Sequence, residues 1–92
     1  MIESRIEKYL FDEIKKVGGI CPKWVSPNMK GVPDRIVFLN NQVWFVELKS
    51  TTGIRSKIQE HFEKILLRYT RNYKVISSKE QVDAFIKDIL NE

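Results

Sequence analysis

Apolar residues recur every four positions at the start of the chain. Ile2, Ile6, Leu10 and Ile14 make one helical stripe, widened by Tyr9 and Val17. Lys15 and Lys16 suit the negative end of that helix, and Gly18–Gly19 stop it. The period then changes. Ile20 to Val25 reads as a short strand that Pro22 confines to an edge or a bulge. SPNMKGVP, residues 26–33, is a loop with two prolines, a glycine and an asparagine. Asp34–Leu39 and Gln42–Leu48 are rich in β-branched and aromatic residues and predict two strands. Asn40–Asn41 between them tolerates the left-handed backbone of a tight hairpin. After a loop at 50–53, Ile58, Phe62, Ile65, Leu66 and Tyr69 predict a second amphipathic helix. YKVIS, residues 73–77, predicts a strand. Val82, Phe85, Ile86, Ile89 and Leu90 predict a last helix. Ser77 with Glu80, or Ser78 with Gln81, stands at capping-box spacing before it.

The order is α-β-β-β-α-β-α, an α/β fold with a small mixed β-sheet flanked by helices. Its β-α-β portion implies a right-handed crossover and a parallel strand pair. Residues 1–92 read as one domain, with no internal repeat or linker.

Composition trims the functional classes. The chain is 42% hydrophobic and 30% charged, with four Gly and three Pro, which argues against a low-complexity or disordered chain. No stretch approaches the roughly 18 apolar residues of a membrane span, and the charged N-terminal segment is unlike a secretory signal. Cys21 is the single cysteine, so an internal disulfide and a thiolate cluster are excluded and a reducing, cytoplasmic setting is expected. A net charge of +4 is compatible with nucleic acid as partner without requiring it.

Candidate chemistry lies in GVPDRIVFLNNQVWFVELKS, residues 31–50. Glu47 and Lys49 are two apart on a strand and share a face. With a two- or four-residue turn at Asn40–Asn41, paired positions sum to 81 and Asp34 falls opposite Glu47; a three- or five-residue loop breaks that alignment. Opposed carboxylates ~4.5–5.5 Å apart at Cβ repel. A divalent ion with hard oxygen ligands would relieve them, and Mg²⁺ also takes phosphate oxygen. Lys49 would then orient a water or stabilise a phosphorane. The bland alternative is a turn acid and a solvent-facing Glu–Lys pair.

Asp34 after Pro33, followed thirteen residues later by Glu47-Leu48-Lys49, resembles the PD-(D/E)XK nuclease superfamily. ESRIEKYL, the Gly pair, SPNMKGVPDRIVFL, VWFVELKS and Gln59 together are similar to the VRR-Nuc domain, above all its small stand-alone phage and prophage forms. The element order is also similar to that of archaeal Holliday-junction resolvases. The resemblance implies a restriction-endonuclease-like core and a Mg²⁺- or Mn²⁺-dependent deoxyribonuclease. It implies metal ligands at Asp34, Glu47 and the Leu48 carbonyl, a catalytic Lys49, and Gln59 near the site. The family's helix acid falls on Glu3 or Glu7. Glu3 is favoured, because Glu3, Ile6 and Leu10 reproduce the resolvase spacing.

Ser26, Lys30 and Arg35 on one side, and Arg55 and Lys57 on the other, are candidate DNA contacts. For each, a solvated basic rim is the plainer reading. His61, Cys21 and Trp44 read as surface or packing residues. The expected activity is endonucleolytic hydrolysis of DNA, selective for branched substrates such as Holliday junctions. A homodimer is expected because two cuts need two sites. The alternatives are a non-catalytic DNA-binding module on the same fold, a structural domain without metal, and a duplex-nicking or restriction-type enzyme. The expected setting is the cytoplasm of a bacterial or phage-infected cell.

Overall fold

The four-residue stripe folds as anticipated. In the computed structural model, which describes residues 1–91, helix α1 spans Glu3–Lys16 and buries Ile6, Leu10 and Ile14 completely. Its end is a Schellman turn. Gly18 takes φ +88°, its N–H reaches the Lys15 carbonyl, and the Gly19 N–H reaches the Ile14 carbonyl.

Strands β1 (Arg35–Leu39) and β2 (Gln42–Leu48) form an antiparallel hairpin. Asn40 and Asn41 have φ of 53° and 61°, the left-handed pair of a two-residue turn. Leu39 pairs with Gln42 and Arg35 with Val46, so the register is the one that sets Asp34 against Glu47. Helix α2 (Lys57–Leu66) leads to strand β3 (Tyr73–Ile76), which lies parallel to β2. The sheet order is β1-β2-β3, with β2 central. Helix α3 spans Lys79–Leu90. Of the two capping alternatives, Ser78 with Gln81 is used: the Gln81 N–H donates to Ser78 Oγ. Gln81 Oε1 in turn accepts from the Ser77 N–H.

One expected strand does not form. Residues 20–25 pair with β1 as isolated bridges, Ile20 with Phe38 and Lys23 with Arg35, and not as a continuous strand. The reason is Pro22, which stands where the ladder needs a donor. It accepts from the Ile36 N–H but has no N–H to return. The observed order is therefore α-β-β-α-β-α, with this segment along the β1 edge. The second helix is also shorter than its stripe suggested, leaving Tyr69 outside it and 82% exposed.

Alternation sorts the sheet into two faces. Val37, Leu39, Val46, Leu48 and Ile76 point into one core cluster with residues of α1 and α3. Phe45 and Glu47 lie on the opposite face, where Trp24 packs against Phe45 and Phe62 of α2. Among the described residues no helix is long and apolar enough to cross a membrane.

Candidate active site

The C-terminal end of β2 gathers the acids. Hairpin register carries Asp34 to it, and the Asp34 carboxylate extends the ladder with its side chain: Oδ2 accepts the Leu48 N–H at 2.8 Å. Burial pushes the Asp34 carboxyl up, partly offset by that Leu48 bond. Glu7 and Glu47 push it further up, and Lys49 draws it down. Glu3 comes from the first turn of α1. That turn is tied to the loop after Lys49, because the Thr51 N–H donates to the Met1 carbonyl at 3.2 Å. Burial and then Asp34 push the Glu3 carboxyl up, while Lys49 lowers it. Glu3 therefore lies within electrostatic reach of Asp34 and Lys49, although the three come from different places in the chain.

Glu3 and Glu7 are placed differently. Arg35 Nε donates to Glu7 Oε2 at 2.7 Å, and Arg35 Nη1 to the Cys21 carbonyl at 2.8 Å. Glu7 is thereby paired with a cation. Glu3 makes no hydrogen bond or ion pair among the described residues. The same contacts commit Arg35, expected at the DNA, to the protein; its side chain is 13% exposed and lies over the Phe11 ring. Cys21 is a packing residue in the core, and burial lifts its thiol to about 11.

Glu47 is fully buried. Arg55 Nε donates to its Oε2 at 3.0 Å and Arg55 Nη2 to its Oε1 at 3.1 Å, a two-pronged grip. The Tyr73 hydroxyl donates to Oε1 at 2.9 Å. Arg55 also pairs with Glu63 of α2. These carboxylates raise the guanidinium pKa, Glu47 first. Tyr73 is shifted upward by burial and by Glu47. Sequence reasoning missed Tyr73 and Glu63. A parallel β2–β3 pair hinted at the former, but Tyr73 falls on the Glu47 face only once Phe45 is known to pair with it.

The remaining candidates lie in the loop before β1 and at the start of α2. Gly31, at φ +81°, lies against the Ile58 backbone so closely that a Cβ would collide with it. That contact sets Lys30 and Lys57, both exposed, on adjoining segments. Ser26 is half-buried in the same loop. Gln59 serves the α2 start, where its N–H donates to Ser56 Oγ at 3.1 Å and its Oε1 accepts from that hydroxyl at 3.2 Å. His61 is exposed, and Trp44 packs edge-on against Phe85.

The donors suit a hard divalent ion: mutually repelling carboxylates, with Asp34 Oδ1 and both Glu3 oxygens making no hydrogen bond among the described residues. As the side chains stand, no three acids, histidines or thiols converge on one point among the described residues. Glu47 is turned to Arg55.

Comparison with known proteins bears on the fold. No family model matches the chain. A solved "VRR_NUC domain" superposes with a TM-score of 0.83 at 29% identity, over 92% of this chain and 94% of that one. "Putative nuclease p44" of Acyrthosiphon pisum secondary endosymbiont phage 1 is 53% identical over 49 residues, 52% of this chain. The match spans about half that relative's length, 53%.

Proposed function

We propose that this chain, which carries the VRR-Nuc fold its sequence resembles, is a DNA endonuclease dependent on Mg²⁺ or Mn²⁺. The likeness to a VRR_NUC domain and to a phage protein named as a nuclease supports the nuclease reading. The observation that supports the site is the hairpin register that brings Asp34 to the Glu47–Lys49 strand end, where its carboxylate accepts the Leu48 N–H and where burial, Glu7 and Glu47 raise its cost of ionisation.

Asp34, Glu47 and the Leu48 carbonyl would hold the ion. When bound, it lowers the pKa of a water and neutralises charge on phosphoryl oxygens. The chain's own groups do the rest. The Asp34–Leu48 bond fixes one carboxylate against the strand end. Tyr73 fixes the other from the buried side of β3. Lys49 sets an ammonium beside Asp34 and Glu3, where it meets a non-bridging phosphate oxygen as charge builds there. Glu3, whose carboxylate has no hydrogen-bond partner among the described residues, would accept a hydrogen bond from the attacking water. Gln59 offers a neutral amide from α2. Lys30, Lys57 and Ser26 receive the flanking phosphates.

Branched DNA is the proposed substrate, a four-way junction first, cut by a homodimer that presents two such centres. The cytoplasm of a bacterial or phage-infected cell is the proposed setting, in keeping with the buried, reduced Cys21. A second reading has one observation in its favour. Glu47 is already satisfied by Arg55 and Tyr73, as it would be in a non-catalytic DNA-binding module.

Cleavage of a four-way junction, a flap, a nicked and a linear duplex in Mg²⁺ or Mn²⁺ separates the two. Lys49→Ala and Asp34→Asn should each lower the rate on the order of 10²–10³. Wild-type turnover in both variants refutes the site. Tight DNA binding with no cleavage of any substrate selects the module.

A further inference from the structure

The cation that Glu47 binds in this structure is Arg55. Both Glu47 oxygens are engaged, yet the two partners are not alike. Tyr73 is buried and set in a strand. The Arg55 side chain is 26% exposed and sits in the connection just before α2. Next to it Ile54 is 91% exposed and gives the segment no buried apolar anchor. Its other tie is to Glu63, one turn beyond Gln59 and itself partly exposed.

We propose that Arg55 is a displaceable counter-ion that holds Glu47 in readiness, and that a divalent ion and a DNA phosphate exchange places with this internal pair. The proposal rests on the nuclease reading of Glu47. Its physical content is a linked exchange. A divalent ion arriving at Glu47 must displace the guanidinium. The freed guanidinium, still beside Glu63 and near Lys57, is then open to a planar, two-pronged contact with phosphate. Each ligand removes part of the other's cost, so metal and DNA reinforce one another. Arg55 acts through Glu47 and is a positioning residue. In a purely structural pair, loss of Arg55 would weaken everything, metal binding included. In an exchanging pair, loss of Arg55 strengthens metal binding, because it leaves a buried carboxylate with no other cation partner among the described residues.

Calorimetric titration of the DNA-free protein with Mn²⁺ tests this. Arg55→Gln should bind Mn²⁺ more tightly than wild type, on the order of tenfold, within the usual range of coupling between sites. Its thermal midpoint should fall without metal and recover with Mn²⁺. Glu63→Gln, which leaves the Glu47 contact intact but frees one tie, should shift affinity the same way by less. Arg55→Lys, a cation without the fork, should lie between wild type and Arg55→Gln; these two variants decide the matter if Arg55→Gln does not fold. The second arm is anisotropy of a labelled four-way junction. Arg55→Gln should weaken DNA binding several-fold in Ca²⁺ and little in EDTA. Mn²⁺ affinity that is unchanged or reduced in the variants overturns the exchange and leaves the nuclease reading standing. An equal loss of DNA affinity with and without Ca²⁺ also overturns it. Absence of Asp34-dependent Mn²⁺ binding in every protein overturns both.

Discussion

The two faces of the sheet are built to different standards. The face toward α1 and α3 is continuous and apolar: Val37, Val46 and Leu48 from the strands meet Ile6, Leu10, Val82 and Ile89 with essentially no exposed surface. The face toward α2 is thin. Phe62 is the one buried residue of that helix, and Ile58 is 52% exposed. Into this thinner layer the chain places a fully buried carboxylate, its guanidinium partner and a buried tyrosine hydroxyl. Stability comes mainly from one face, which leaves the other able to carry charges that would be intolerable in a close-packed core.

That division can be tested by substitution. Leu10→Ala, in the continuous core, should cost about 2–5 kcal/mol in denaturant unfolding, while Ile58→Ala costs under about 1 kcal/mol. Equal losses would mean that α2 supports the fold as much as α1 does. Gly31→Ala joins the faces at the rim. It meets a positive φ and the Ile58 backbone together, and should cost about 1–3 kcal/mol. Cleavage should fall with it, because the loop that delivers Asp34 must shift; unaltered kinetics would show that the loop and α2 are not coupled.

Arg35 is paired with Glu7 while Lys30 is exposed, so the two sit in different regimes. Arg35→Ala should lose about 1–2 kcal/mol of stability through Glu7 and the Cys21 carbonyl. It should leave the salt dependence of DNA binding unchanged. Lys30→Ala should do the reverse, lowering the slope of log affinity against log salt by about one. A slope change in Arg35→Ala would move that residue to the DNA surface.

The smallest effect concerns Asp34 without metal. Its folded-state pKa lies above the ordinary 3.8, so the native state binds its proton more readily than the unfolded chain. The resulting destabilisation is absent below the unfolded pKa, grows as pH rises through the folded one, and is complete at neutral pH. Asp34→Asn should therefore melt no lower than wild type at pH 7 in EDTA, and slightly higher. That margin should shrink on acidification toward the unfolded pKa. A variant clearly less stable at pH 7 would make Asp34 a structural ion.

Much of this was legible in the chain itself. Local rules sufficed for α1 and its glycine stop, for the Asn40–Asn41 hairpin, and so for the register that sets Asp34 against Glu47. A two-residue turn and the alternation of a strand are properties of neighbours in sequence. Pro22 was legible as an edge residue, but not the degree to which one missing N–H reduces a strand to two bridges. Tertiary structure alone separated Glu3 from Glu7, since that depends on Arg35 reaching across from β1. It alone turned Arg55 inward to Glu47 and brought Tyr73 beneath that carboxylate. These are meetings between segments eight to twenty-eight residues apart. Their energies depend on burial and on which counter-charge arrives first, and neither quantity is carried by a residue's neighbours along the chain.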